Sequence, residues 1–328
     1  MFVALCAQSQ IGLFMHVALL CTPATAPTAA WVSRELRSRG HHLDEAAPTL
    51  PDAGAAAAVG HHLADRWASE RPDVVLALGW EAGLSAHVGA RAGAVDVPVL
   101  LRLTRAGRDP GSDRDRLELA LARGSRRVLV PSAGELDRLV DRGLRRAVLR
   151  VLPEAVDPAQ FVDVGAELPA SAAYRVALAR PDGRHEDYTV LGLPGMPAYD
   201  VVPVPADGMD ETGLADRLRS VHAMVVTDDS DAEVALTLRA MSCAVPVVAV
   251  TTGTLADVVA DDVTGVLVRR TSDVPLALRS LLSDPLRRQS MGLAAVDRVQ
   301  ARFDTAVVGA ALEGALLDVL PRSVAVAS

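Results

Sequence analysis

Short apolar runs of strand length alternate along this chain with amphipathic stretches of helical length, and that alternation constrains the fold more than any other feature. Each apolar run suits a strand covered on both faces, and each amphipathic stretch suits a helix that covers it, the pattern of parallel βαβ units. In the first half the strand segments are His16–Leu20, Asp73–Leu78, Val97–Leu103, Arg127–Val130 and Ala147–Leu152, with helices expected near 28–39, 56–70, 81–92, 113–123 and 133–142. Right-handed crossovers then give an open parallel sheet with helices on both faces.

Residues 153–172 carry Pro153, Pro158 and Pro169 with little periodicity, and the hinge between two domains is expected there. Strand segments resume at Tyr174–Ala179, Tyr188–Leu193, Val201–Val204, Ala223–Val226, Val245–Val250 and Gly265–Val268. Helices are expected near 212–220, 232–243, 254–260, 273–283 and 285–302, and Phe303–Leu320 reads as a last amphipathic helix packing back across the hinge. The expected domains are therefore 15–160 and 172–302, with 303–320 a separate helix and 1–14 an extension of unclear role. At 328 residues, two such domains can each bury a core. Ligands of open α/β sheets bind beyond the carboxyl ends of the strands, so an interdomain cleft is the default site.

Composition excludes several function classes. Lysine and asparagine are absent and all 33 basic residues are arginine, which removes Schiff-base lysine chemistry and the lysine of a P-loop. A net charge of −8 argues against a nucleic-acid surface. Cys6, Cys21 and Cys243 lie far apart and match neither a disulfide framework nor a zinc spacing, so a reducing cytoplasm is expected. Met1–Ala26 has a cleavage-like Ala24-Thr25-Ala26 but no basic n-region, and "MHVALL" at Met15–Leu20 reads instead as the first core strand. No segment is long and apolar enough to cross a membrane. No G-x-G-x-x-G follows the first strand, which argues against a dehydrogenase.

"RAMSCAVPVVAVTTGTLADVVADDVTGVLV" at Arg239–Val268 resembles the "EAMACGxPVVAxxxGGxxEVVxDGxTGxLV" of the family 4 glycosyltransferases. "SDPLRRQSMGLAAVDRVQARFD" (283–304), "RSRGHHL" (37–43), "RPDVVLALGWEAGLSA" (71–86) and "VLPEAVDPAQF" (151–161) extend the resemblance over nearly the whole chain in the right order. The resemblance implies the GT-B architecture: two Rossmann-like domains with parallel sheets facing an interdomain cleft. It implies metal-independent, configuration-retaining transfer from a nucleoside-diphosphate sugar to a small acceptor, with no cofactor beyond that donor.

The family holds the donor with two glutamates separated by seven residues, and Asp231 and Arg239 stand at those positions here. A carboxylate accepts hydrogen bonds from ribose hydroxyls, whereas arginine has no acceptor and could only meet a diphosphate. Gly253-Thr254 replaces the family's "GG", Asp257 its following glutamate, and Ala244 the glycine of "ACG". The Gly-Gly loop after the first strand is absent from "CTPATAPTAA" (21–30), and Thr104 stands where the family has a histidine. Arg184, with Arg180, is the nearest substitute for the Arg/Lys pair that neutralises the leaving diphosphate. The resemblance thus implies Asp231, Arg239, Gly253, Thr254, Asp257 and Arg184 on the donor side, and Trp80, Thr104 and Arg105 on the acceptor side.

Bland readings stand beside these. Ser230-Asp231-Ala232-Glu233 is a capping box, S-x-x-E, before an apolar run. Asp229-Ser230-Asp231 spells D-x-D, a metal motif of another glycosyltransferase fold, but the tail that follows argues against that fold. His41-His42 and His61-His62 lack further ligands at a workable spacing and read as solvated, so no metal site is expected. The accumulated replacements also admit a catalytically silent GT-B-fold binding protein or subunit that serves a partner protein.

Overall fold

In the computed structural model, residues 14–93, 96–104, 111–161, 174–180, 199–205, 210–251 and 253–320 are described. The chain divides into two compact units, Met1–Leu103 with Asp113–Leu129 and Leu312–Ser328, and Thr104–Ser112 with Val130–Ala311.

Six parallel strands form the first sheet: β1 (His16–Leu20), β2 (His42–Ala46), β3 (Val74–Leu78), β4 (Val99–Arg102), β5 (Arg127–Val130) and β6 (Leu149–Val151). Their order is β2-β1-β3-β4-β5-β6. Between them run α1 (Ala26–Ser38), α2 (Ala53–Ser69), α3 (Trp80–Ala92), α4 (Asp113–Gly124) and α5 (Ala133–Asp141). Every residue of β3 is buried, the consequence of a parallel strand covered on both faces. β2 escaped the apolar-run criterion. Its sequence HLDEA is an edge strand in which only Leu43 is fully buried, so nothing in it reads as a core segment.

The second sheet has five strands in the order β11-β10-β9-β7-β8. These are β7 (Tyr174–Arg180), β8 (Tyr199–Pro205), β9 (Ala223–Val226), β10 (Val247–Val250) and β11 (Gly265–Val268). The expected strand Tyr188–Leu193 lies outside the described residues. Ala177, Ala179, Met224, Val226, Val247 and Ala249 enter one core cluster with α6 (Glu211–Arg219) and α7 (Asp231–Ser242). Their sequence neighbours Val176, Leu178, Val225, Val248 and Val250 enter another with α9 (Val274–Leu282). That two-residue alternation onto two dry faces is why these strands read as unbroken apolar runs. The unit is completed by the single turn α8 (Leu255–Val258), α10 (Pro285–Arg302) and most of α11 (Thr305–Leu317).

From Leu312 onward the chain is grouped with the first unit, where Glu313 meets Arg39 at 2.9 Å and His41 at 2.9 Å, and Asp318 meets Arg127 at 3.2 Å. His41 therefore departs from the solvated reading. It is 5% exposed, its Nδ1 accepts the Met15 N–H, and its Nε2 donates to Glu313. Cys21 and Cys243 are buried and form no disulfide. Among the described residues, no helix is long and apolar enough to cross a membrane.

Candidate functional site

The carboxyl ends of β9 and β10 lie side by side in parallel register, Val225 opposite Val248 and Val226 opposite Ala249. The loop after β9 leads into α7, and the loop after β10 leads into α8. Ser230 is the N-cap of α7, and its Oγ accepts the Glu233 N–H at 3.3 Å. The cap expected from the sequence is present, but the Glu233 half of the box is turned elsewhere. Glu233, 3% exposed, accepts the Asp228 N–H at 2.9 Å. One residue on, Asp229 is 6% exposed and its Oδ2 accepts the Thr254 N–H at 3.2 Å.

Thr254 is itself 2% exposed, and its Oγ1 is buried with no hydrogen-bond partner among the described residues. Gly253 before it has φ +31°, a left-handed value that glycine takes at little cost. At Thr254 the amide is thus spent and the hydroxyl unspent.

At the matching end of the first sheet, β3 and β4 place Leu78 opposite Arg102. Gly79, with φ +90°, turns the chain into α3, whose first residue is Trp80. The Arg114 guanidinium lies 5.8 Å above the Trp80 ring, and the indole N–H is buried with no hydrogen-bond partner among the described residues. Thr104, two residues beyond β4, is 7% exposed. After β1 the chain closes on itself: the Thr22 N–H donates to Thr25 Oγ1 at 2.9 Å and the Thr25 N–H to Thr22 O at 2.9 Å. Amides engaged in this way are not an open cradle for phosphate, which accounts for a loop without glycine.

No family model matches the chain. The D-inositol 3-phosphate glycosyltransferase of Kribbella flavida is 38% identical over 125 residues, 38% of this chain and 28% of that protein. Its namesake from Kineococcus radiotolerans is 33% identical over 151 residues, 42% of this chain and 34% of that protein. The matched stretch thus spans 28% to 34% of these curated relatives. Among solved structures, the sucrose-phosphate synthase of Thermosynechococcus elongatus superposes with a TM-score of 0.76 at 17% identity, covering 96% of this chain and 100% of that one. Anabaena HepE in complex with UDP and glucose gives 0.70 at 12% identity, covering 93% and 100%. The chain has the GT-B fold. The resemblance to family 4 glycosyltransferases is borne out: the curated relatives are glycosyltransferases by name, and the structural neighbours share the architecture.

Within the GT-B fold the sequence-derived donor candidates separate. Asp231 opens α7 beside the β9 loop, and Gly253 and Thr254 form the turn after β10. Arg239 lies eight residues along the same helix, about 12 Å along its axis. Its Nη2 meets Glu211 of α6 at 3.2 Å. α7 is helical from Asp231 onward, so the two positions do not converge as they would if the first stood in a loop. Asp257 accepts the Ala133 N–H at the start of α5 at 2.7 Å, and its own carbonyl accepts from Arg298 at 2.7 Å. Trp80 follows β3 and Thr104 follows β4; Arg105 and Arg184 lie outside the described residues. Sequence reasoning passed over Asp229 except as part of D-x-D, although it is the carboxylate that reaches the β10–α8 turn.

Proposed function

We propose that the chain is a glycosyltransferase that moves a glycosyl group from a nucleoside-diphosphate sugar to a small acceptor, with retention and without a metal ion. The observation that carries this reading is the agreement of two independent comparisons: the curated relatives are glycosyltransferases by name, and the GT-B neighbours include a structure with UDP and glucose. The donor occupies the second unit at the β9 and β10 ends, where the Asp231 carboxylate accepts ribose hydroxyls and the buried Thr254 hydroxyl contributes a further polar contact. Arginine stabilises the departing diphosphate, with Arg184 the residue for that role. The acceptor meets Trp80 and Thr104, which follow strands β3 and β4 of the first sheet. The silent-subunit alternative is not favoured, since the curated relatives are named as enzymes.

The test incubates the full chain with UDP-, GDP- and ADP-sugars and D-inositol 3-phosphate, the acceptor in the relatives' name, and follows nucleoside diphosphate release. A thermal shift with each donor accompanies the assay. A ligand at 100 times its dissociation constant should stabilise by about 2.7 kcal/mol. Release with one donor, reduced by Asp231→Ala, supports the proposal; no shift and no release with any of them overturns it.

A further inference from the structure

We propose that His16, His42 and Asp44 form a binding site for a divalent transition-metal ion of the zinc class, on the first sheet and apart from the donor residues. β1 and β2 pair in parallel with His16 opposite His42 and Ala18 opposite Asp44. Side chains two residues apart on a strand share a face, so Asp44 lies on the same face as His42. The backbone register therefore sets two imidazoles and a carboxylate together. The rings of His16 and His42 meet edge to face with centroids 4.8 Å apart, and His16 Nε2 is 3.0 Å from Asp44 Oδ2. One ligand atom from each residue lies within 4.8 Å of the other two.

Two nitrogens and a carboxylate oxygen are a donor set suited to zinc, copper or nickel, with water completing a tetrahedron around zinc. Bonds of about 2.0–2.1 Å bring tetrahedral ligand atoms to about 3.4 Å apart. Closure of roughly 1.5 Å lies within reach of a rotation of the exposed His42 ring. Coordination through Nε2 uses that atom's lone pair, with the ring proton on Nδ1. Arg66 of α2, 3.0 Å from Asp44 Oδ2, remains as the outer partner of the carboxylate. No zinc spacing shows along the chain because His16 stands far from the other two and only strand pairing joins them.

The experiment is calorimetric titration of the tag-free, chelator-stripped full chain with Zn2+, repeated on His42→Ala and on a His61→Ala/His62→Ala control. Both sites are exposed, and circular dichroism checks that each variant folds. One-to-one binding in the parent and the control, weakened about tenfold or more in His42→Ala, supports the site. With Cu2+ as probe, electron paramagnetic resonance should count two imidazole nitrogens in the parent and one in His42→Ala. Absence of saturable Zn2+ binding to the parent, or parent-like affinity in His42→Ala, overturns it.

Discussion

The carboxylate of Asp229 accepts the backbone N–H of Thr254 at 3.2 Å and so links the loop after β9 to the turn after β10. A donor diphosphate approaching that turn would seek the same N–H and would meet a buried negative charge already on it. Two unit charges 4 Å apart at an effective dielectric of 20 interact by about 4 kcal/mol, before relaxation reduces it. Asp229→Asn keeps an acceptor for Thr254 and removes the charge. Its expected effect is UDP affinity raised on the order of tenfold, about 1.4 kcal/mol, read by calorimetry. Unchanged or weaker affinity would mean that the phosphates do not approach this turn.

Two positions where the family has glycine retain the backbone that glycine favours. Ala244 has φ +56° and Asp262 has φ +60°. A left-handed residue with a Cβ costs roughly 1–2 kcal/mol. Ala244→Gly and Asp262→Gly are therefore each expected to stabilise the chain by about 1 kcal/mol, offset in part by the added freedom of the unfolded state. Urea denaturation should move to higher midpoints with unchanged slope. At Ala244 a gain also requires that Gly292, packed against the Ala244 carbonyl, hold its place. A lower midpoint for Ala244→Gly would mean that the methyl group packs better than the strain costs.

Arg239 and Glu211 form a partly exposed pair, with side-chain exposures of 20% and 49%. Solvent screening limits such a pair to about 0–1 kcal/mol. Arg239→Glu should lower stability within that range, and adding Glu211→Arg should restore it in a double-mutant cycle. If Arg239→Glu instead raises nucleotide affinity with stability unchanged, the position faces ligand rather than α6.

The sequence disclosed what two dry sheet faces impose and missed what distant residues share. β9 and β10 were legible because alternate residues enter opposite cores, and the α7 cap because Ser230 and Glu233 are near neighbours. β2 was not, since an edge strand needs no apolar run. Nor was the Asp229–Thr254 bond, whose partners are 25 residues apart and meet only through strand order. His41 read as solvated because its partner Glu313 lies 272 residues away. Nor was the left-handed backbone at Ala244 and Asp262, since neither residue is the glycine that marks such a turn.

His87 adds an acid-sensitive contribution to stability. On α3 its Nε2 lies 2.9 Å from Ser125 Oγ, which itself donates to the Leu121 carbonyl. Burial lowers its pKa below the usual 6.5, and the neighbouring Arg91 lowers it further. The neutral ring is thus favoured in the folded chain, and as pH falls the unfolded chain takes up the proton first. Stability is fully present above about pH 6.5 and declines below it, levelling once pH has passed the folded value, with a slope of at most about 1.4 kcal/mol per pH unit for one proton. Burial and Arg288 depress His222 in the same direction, so a second proton steepens the decline. His87→Gln should flatten the pH dependence of the urea midpoint between pH 6.5 and 5 without abolishing it. An unaltered profile would mean that His87 titrates alike in both states.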